Sequence, residues 1–123
     1  MKTILVVDDD DGVGALVRDI LVLEGYTVLD TSDPQEALRI ASQQAIHLLL
    51  TDVVMPLMRG TELARRLEAI SPQTKVLLMS AYTPGEVNAS RRPFIAKPFT
   101  IDALAEKVRQ VLAQPSPLAR ARP

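Results

Sequence analysis

Apolar residues in this chain follow two alternating patterns: short unbroken runs, and longer segments in which they recur every three or four positions. Ile4 to Val7 is the first run, rich in β-branched residues and ended by acids, and it reads as a strand buried on both faces. Val13, Leu16, Val17, Ile20, Leu21 and Leu23 follow at helical spacing, with Asp10 or Asp11 as the N-cap and Gly25 just past the end. Tyr26 to Thr31 predicts a second strand. Ser32-Asp33-Pro34 then opens a helix, a capping residue followed by proline, with Ala37, Leu38, Ala41 and Ala45 inward. A third strand spans Ile46 to Asp52 and a loop spans Val53 to Gly60. The next helix, Thr61 to Ile70, turns Leu63, Ala64, Leu67 and Ile70 inward until Ser71-Pro72 stops it. Lys75 to Met79 and Phe94 to Ala96 predict the last two strands. Ile101, Leu104, Ala105, Val108, Val111 and Leu112 mark a closing helix capped by Thr100.

Strict strand–helix alternation with two-sided apolar strands implies a parallel sheet covered by helices on both faces, with right-handed crossovers. Five strands suit the flavodoxin-like doubly wound order 2-1-3-4-5. The stretch Thr83 to Pro93 holds two of the chain's prolines and one glycine among few apolar residues, which predicts a shortened fourth helix before the fifth strand. Residues 1–114 are expected to form one domain and 115–123, rich in proline, a flexible tail.

Composition narrows the chemistry. The 123 residues carry 14 Lys plus Arg against 15 Asp plus Glu, a formal charge of −1, so no overall basic field favours nucleic acid or an anionic membrane. The absence of Cys removes thiolate metal sites and thiol nucleophiles, and His47 is the only imidazole. No segment approaches the roughly 18 apolar residues of a membrane span, and the start lacks a signal-peptide pattern; a cytoplasmic protein is expected. Carboxylates, hydroxyls, Lys and Arg remain for chemistry.

In a parallel sheet all strands end on one edge, where ligands bind at the point of strand-order reversal. Asp8 and Asp9 end the first strand, Asp52 the third and Ser80 the fourth, and Lys97 follows the fifth. His47 starts the third strand, roughly 17 Å from Asp52 at ~3.3 Å per residue, and is expected to be a solvated residue with no part in the chemistry. Three carboxylates in one cleft repel, by about 4 kcal/mol per pair at ~4 Å and an effective dielectric of ~20. Either one stays protonated or a cation sits among them. Oxygen-only donors point to a hard divalent ion, Mg²⁺ better than Ca²⁺. A carboxylate nucleophile, a metal, a lysine and a hydroxyl form a set that can receive a phosphoryl group.

Val6-Val7-Asp8-Asp9-Asp10, Leu50-Thr51-Asp52-Val53-Val54-Met55-Pro56, Met79-Ser80-Ala81 and Lys97-Pro98-Phe99 resemble, in order and context, the motifs of response-regulator receiver domains. The resemblance covers residues 3 to about 113. It implies phosphorylation of Asp52 by a histidine kinase or phosphotransfer protein. It also implies Mg²⁺ held by Asp9, Asp52 and the backbone carbonyl of Val54, with Asp8 assisting through water. By the same resemblance Lys97 contacts the phosphoryl group, Ser80 is the switch hydroxyl, and Phe94 is the aromatic switch whose inward rotamer accompanies phosphorylation. The chain departs from the family in two places. Lys97 follows Ser80 by only 17 positions, so the face around the fourth helix is not expected to be used in the usual way. Val54 and Tyr82 stand where relatives carry acids or amides that orient an attacking water, which predicts a longer-lived phosphoryl group.

Two rivals remain. Gly12-Val13-Gly14 after the first strand and Asp30 at the end of the second suggest a dinucleotide site, but Val17 replaces the third glycine and four acids crowd the turn. The other is a receiver-like interaction module that is never phosphorylated. Met1 directly before the first strand looks like a natural start, and no effector fits after Lys107. The chain is therefore expected to be a stand-alone regulator, or a receiver segment of a hybrid histidine kinase, that acts on a downstream protein, without direct contact to nucleic acid or membrane.

Overall fold

The computed structural model describes residues 1–81, 85 and 89–115. Its strands are β1 (Thr3–Val7), β2 (Thr27–Thr31), β3 (Leu48–Asp52), β4 (Lys75–Ser80) and β5 (Phe94–Ala96). The helices whose bounds lie among the described residues are α1 (Asp11–Leu23), α2 (Pro34–Gln43), α3 (Gly60–Ile70) and α4 (Ile101–Ala113). All five strands are parallel in the order β2-β1-β3-β4-β5, the expected flavodoxin-like sheet. The shortened helix expected within Thr83 to Pro93 and the tail from residue 116 fall largely or wholly outside the described residues.

Each inner strand feeds two cores because successive side chains point to opposite faces. Leu5, Val7, Leu49, Val76 and Leu78 meet Ala37 and Ala41 of α2 and Leu63, Ala64 and Leu67 of α3. Ile4, Val6, Leu48, Leu50, Leu77 and Met79 meet Val17, Ile20 and Leu21 of α1 and Leu104, Val108 and Val111 of α4. This is why the runs are unbroken rather than alternating. Full burial of each such side chain contributes about 2 kcal/mol, so truncating a fully buried one such as Leu49 to Ala costs about 3 kcal/mol.

Helix boundaries follow local chemistry. The Asp10 carboxylate accepts from the backbone N–H groups of Gly12 and Val13, which settles the α1 cap on Asp10. Gly25 takes a φ of +96° just past the α1 C-cap, a backbone region that glycine enters without a Cβ clash. Asp33 caps α2 ahead of Pro34, and Thr100 caps α4. Ile70, expected to point inward, is exposed, and so are Leu16, Leu23 and Ile101 of the helical apolar pattern. Ala45 is exposed too, beyond the end of α2. A straight helix buries only a stripe against the sheet, and these positions lie outside it.

Candidate functional site

Strand register assembles the site. Val7 pairs with Thr51, so Asp8 and Asp52 leave adjacent strands side by side, with Asp9 next to them. Ser80 pairs with Ala96, which delivers Lys97 to the same edge, and the Lys97 amide donates to the Ser80 carbonyl at 2.8 Å. β5 lies two strand spacings from β3, about 10 Å, a gap bridged by the long lysine side chain. Its Nζ donates to Asp8 Oδ2 at 3.0 Å and lies 3.5 Å from Asp52 Oδ2.

Asp8 is buried, and its other oxygen, Oδ1, accepts the Asp10 N–H at 2.9 Å. Asp52 Oδ1 accepts the N–H of Val53 at 2.9 Å. One carboxylate oxygen each from Asp8, Asp9 and Asp52 falls within 4.8 Å of the others. Burial raises the Asp52 pKa; Lys97 works against the rise, and the Asp8 charge adds to it. Burial also disfavours the Lys97 charge. The hydrogen bond to Asp8 and the fields of Asp52 and Asp8 outweigh it, leaving the ammonium pKa raised. Among the described residues, Lys97 thus stands against three clustered carboxylates, Asp8, Asp9 and Asp52, a set of oxygen donors without nitrogen or sulfur ligands. Such a donor set fits a hard divalent cation that keeps part of its water shell, which is the chemistry of Mg²⁺.

The structure therefore brings together Asp8, Asp9, Asp52 and Lys97. Ser80 ends β4 at the same edge, 7% exposed. Val54 follows in the loop after β3, its side chain exposed. Phe94 starts β5 and is 44% exposed, on the opposite face of the strand from the buried Ile95. The Lys97–Pro98 peptide is cis. Tyr82, expected to bear on phosphoryl lifetime, lies outside the described residues.

His47 needs correction. It is only partly exposed, and its Nδ1 accepts the backbone N–H of Thr3 at 2.9 Å, so it ties β1 to the start of β3 rather than standing in solvent. The glycines of the dinucleotide rival lie within the first turn of α1, where the Asp10 carboxylate already occupies the amides an anion would need. Asp30, its ribose acid, is paired with Arg18.

Two contacts on Asp52 escaped the sequence reading. The Thr51 hydroxyl, fully buried, donates to the Asp52 main-chain oxygen at 3.0 Å. Gly60 packs directly on the same peptide, and its N–H donates to the Val53 carbonyl at 2.8 Å. A glycine opening a helix whose preceding residue, Arg59, makes no side-chain cap was the available signal for the second.

The model of the response regulator receiver domain family matches residues 4–109. The sporulation initiation phosphotransferase F of Bacillus subtilis is 31% identical over 90% of this chain and 94% of its own length. A CheY-like receiver domain protein of Methanospirillum hungatei superposes with a TM-score of 0.84 at 32% identity, covering 91% of this chain and 94% of that one. The receiver domain of the hybrid histidine kinase CckA gives a TM-score of 0.78 at 36% identity over 89% and 98%. The chain spans about half the length of some curated relatives, all transcriptional regulators or response regulators, and about a quarter of others. Fold, strand-end residues and relatives converge: the chain belongs to the response regulator receiver domain family, whose members serve phosphorelay signalling.

Proposed function

We propose that Asp52 is the phosphoacceptor of this receiver and that residues 1–114 form its receiver domain. The observation that carries the reading is the single ammonium of Lys97 set 3.5 Å from Asp52 and 3.0 Å from Asp8, beside three carboxylates within 4.8 Å. Oδ1 of Asp52 is engaged by Val53, so Oδ2, on the lysine side, is the attacking atom. It forms a P–O bond as the P–N bond of a phosphohistidine breaks, and the electron pair leaves on the imidazole nitrogen, which takes up a proton. Burial makes this carboxylate more basic and hence a better nucleophile.

Lys97 neutralises charge on the transferring group and then on the aspartyl phosphate. Asp9, Asp52 and the Val54 carbonyl would hold Mg²⁺, with Asp8 acting through water. The ion supplies charge neutralisation among the phosphoryl oxygens. Asp8 is tied to Lys97 and to the Asp10 N–H, so it orients the lysine and the acidic turn together. The Ser80 hydroxyl turns toward the new phosphoryl group, and Phe94 leaves its half-exposed position for an inward one. Val54 offers no group to orient water, so spontaneous loss of the phosphoryl group is slow.

Donors are a histidine kinase or a phosphotransfer protein in the cytoplasm, and the output is a protein target rather than nucleic acid. Among the described residues no helix is long and apolar enough to cross a membrane. The test is incubation with Mg²⁺ and acetyl phosphate. A labile phosphate should appear on the wild type and vanish in Asp52→Asn. A wild type that takes up none is instead the unphosphorylated interaction module.

A further inference from the structure

Positioning of Asp52 depends on its main chain as well as on its carboxylate, because a strand-end side chain swings with its own peptide. Two elements meet on that peptide. From within β3, the Thr51 hydroxyl donates to the Asp52 carbonyl oxygen at 3.0 Å. From across the loop, the first residue of α3 presses on the same oxygen: a Cβ built on Gly60 would lie 2.0 Å from it, 2.9 Å from the Asp52 carbonyl carbon and 3.0 Å from Val53 Cα. No side chain fits there unless backbone moves. The φ of Gly60 lies outside the range that only glycine favours, so the requirement is contact, not conformation.

The same glycine donates its N–H to the Val53 carbonyl at 2.8 Å, and Val53 donates to both Met79 O at 3.0 Å and Asp52 Oδ1 at 2.9 Å. A chain of contacts thus runs from α3 through Gly60 and Val53 to the reacting carboxylate. Thr51 is fully buried, in register between Val7 of β1 and Leu78 of β4, where valine would match its shape. A hydroxyl kept there, with its hydrogen bond made to the next residue's carbonyl, serves Asp52 rather than the core.

We propose that Thr51 and Gly60 are positioning residues that lock the Asp52 peptide, one by hydrogen bond and one by close contact. The proposal rests on the reading of Asp52 as phosphoacceptor. Small misplacements of a reacting group are costly, and a shift of 1 Å can remove about a hundredfold in rate.

The experiment compares wild type, Thr51→Val, Thr51→Ser and Gly60→Ala for the rate of phosphorylation by acetyl phosphate. It also measures Mg²⁺ affinity by calorimetry without phosphodonor, and melting temperature. Thr51→Val should melt close to wild type yet lose about fivefold in rate and bind Mg²⁺ more weakly, Thr51→Ser should keep both, and Gly60→Ala should lose about tenfold or more. A folded Thr51→Val with wild-type rate and Mg²⁺ affinity overturns the proposal, as does Thr51→Ser failing as badly as Thr51→Val. If Gly60→Ala does not fold, the two Thr51 variants decide. Failure of the underlying reading looks different: the wild type takes up no phosphate, or Asp52→Asn still does.

Discussion

The two edges of the sheet handle charge in opposite ways. At the carboxyl edge, Asp8, Asp9 and Asp52 crowd together and answer mainly to Lys97, side chain to side chain. At the amino edge, Lys2 and Lys75 bring positive charge beside a neutral His47, and the two partly buried groups bond to backbone: His47 Nδ1 accepts from Thr3 N–H, and Lys75 Nζ donates to Leu112 O at 2.9 Å on the last turn of α4. Burial lowers the pKa of both, and the neighbouring cations lower it further: Lys2, the terminal amino group and Lys75 for His47, and Lys2 for Lys75. Thr74 finishes that edge with a hydrogen bond to Ile46 O at 2.7 Å. Backbone partners close a structure. Carboxylates held together by one lysine leave it short of charge, and that deficit is what a cation and a phosphoryl group can fill.

The largest effect should come from removing the lysine. Lys97→Met leaves the Asp8 and Asp52 charges without their partner and should cost about 3 kcal/mol at neutral pH. Millimolar Mg²⁺ should recover part of this in denaturant titrations, since an ion that binds only the folded state stabilises it. A loss indifferent to Mg²⁺ would show that the acids do not share one electrostatic site.

Asp52→Asn should act in the other direction. Its folded pKa is raised, so the ionised carboxylate costs stability, a cost absent below the ordinary value of 3.8 and complete once pH passes the raised one. The variant should therefore be roughly 1 kcal/mol more stable at pH 7, with the gain shrinking toward zero as the solution is acidified. No gain at pH 7 would mean that Lys97 fully compensates Asp52.

At the amino edge the sign reverses. The folded His47 pKa is lowered, so its contribution is present above the ordinary value of 6.5 and lost as pH falls through the lowered one. His47→Ala should cost just under 1 kcal/mol at pH 8, the worth of one hydrogen bond to backbone, and progressively less at acid pH. Phosphorylation should be unaffected. A phosphorylation defect here would break the separation of the two edges.

The smallest effect should be kinetic. Val54→Asn places an amide close to Asp52 and, if Asp52 carries the phosphoryl group, should speed dephosphorylation about threefold, some 0.6 kcal/mol of barrier, without changing stability. An unchanged decay of the phosphorylated protein would remove Val54 from the account of its lifetime.

Much of this was legible residue by residue. The apolar runs reveal two-sided strands, since a strand with helices on both faces has no polar side to show. Once the sheet is parallel, Asp8, Asp9, Asp52, Ser80 and Lys97 must share an edge wherever the loops go. Helix phase was read less well: Leu16, Leu23, Ile70 and Ile101 match the apolar spacing but point outward. His47 was misread because its partner, Thr3, is distant in sequence and offers only a backbone N–H, which carries no residue signature. Thr51 was hidden inside an apolar run, where its methyl group reads as core and its hydroxyl is not seen.

The order of residues alone therefore settles the class of fold, the edge at which polar side chains gather and the residue types found there. These follow from periodicity and chain alternation, which are local. Register and packing decide the rest. The β1–β3 pairing puts Asp8 beside Asp52, the β4–β5 pairing brings Lys97 within reach of both, and the docking of α3 presses Gly60 onto the Asp52 peptide. Each is a distance between segments remote in the chain, set by how side chains fill two cores rather than by any neighbour in sequence.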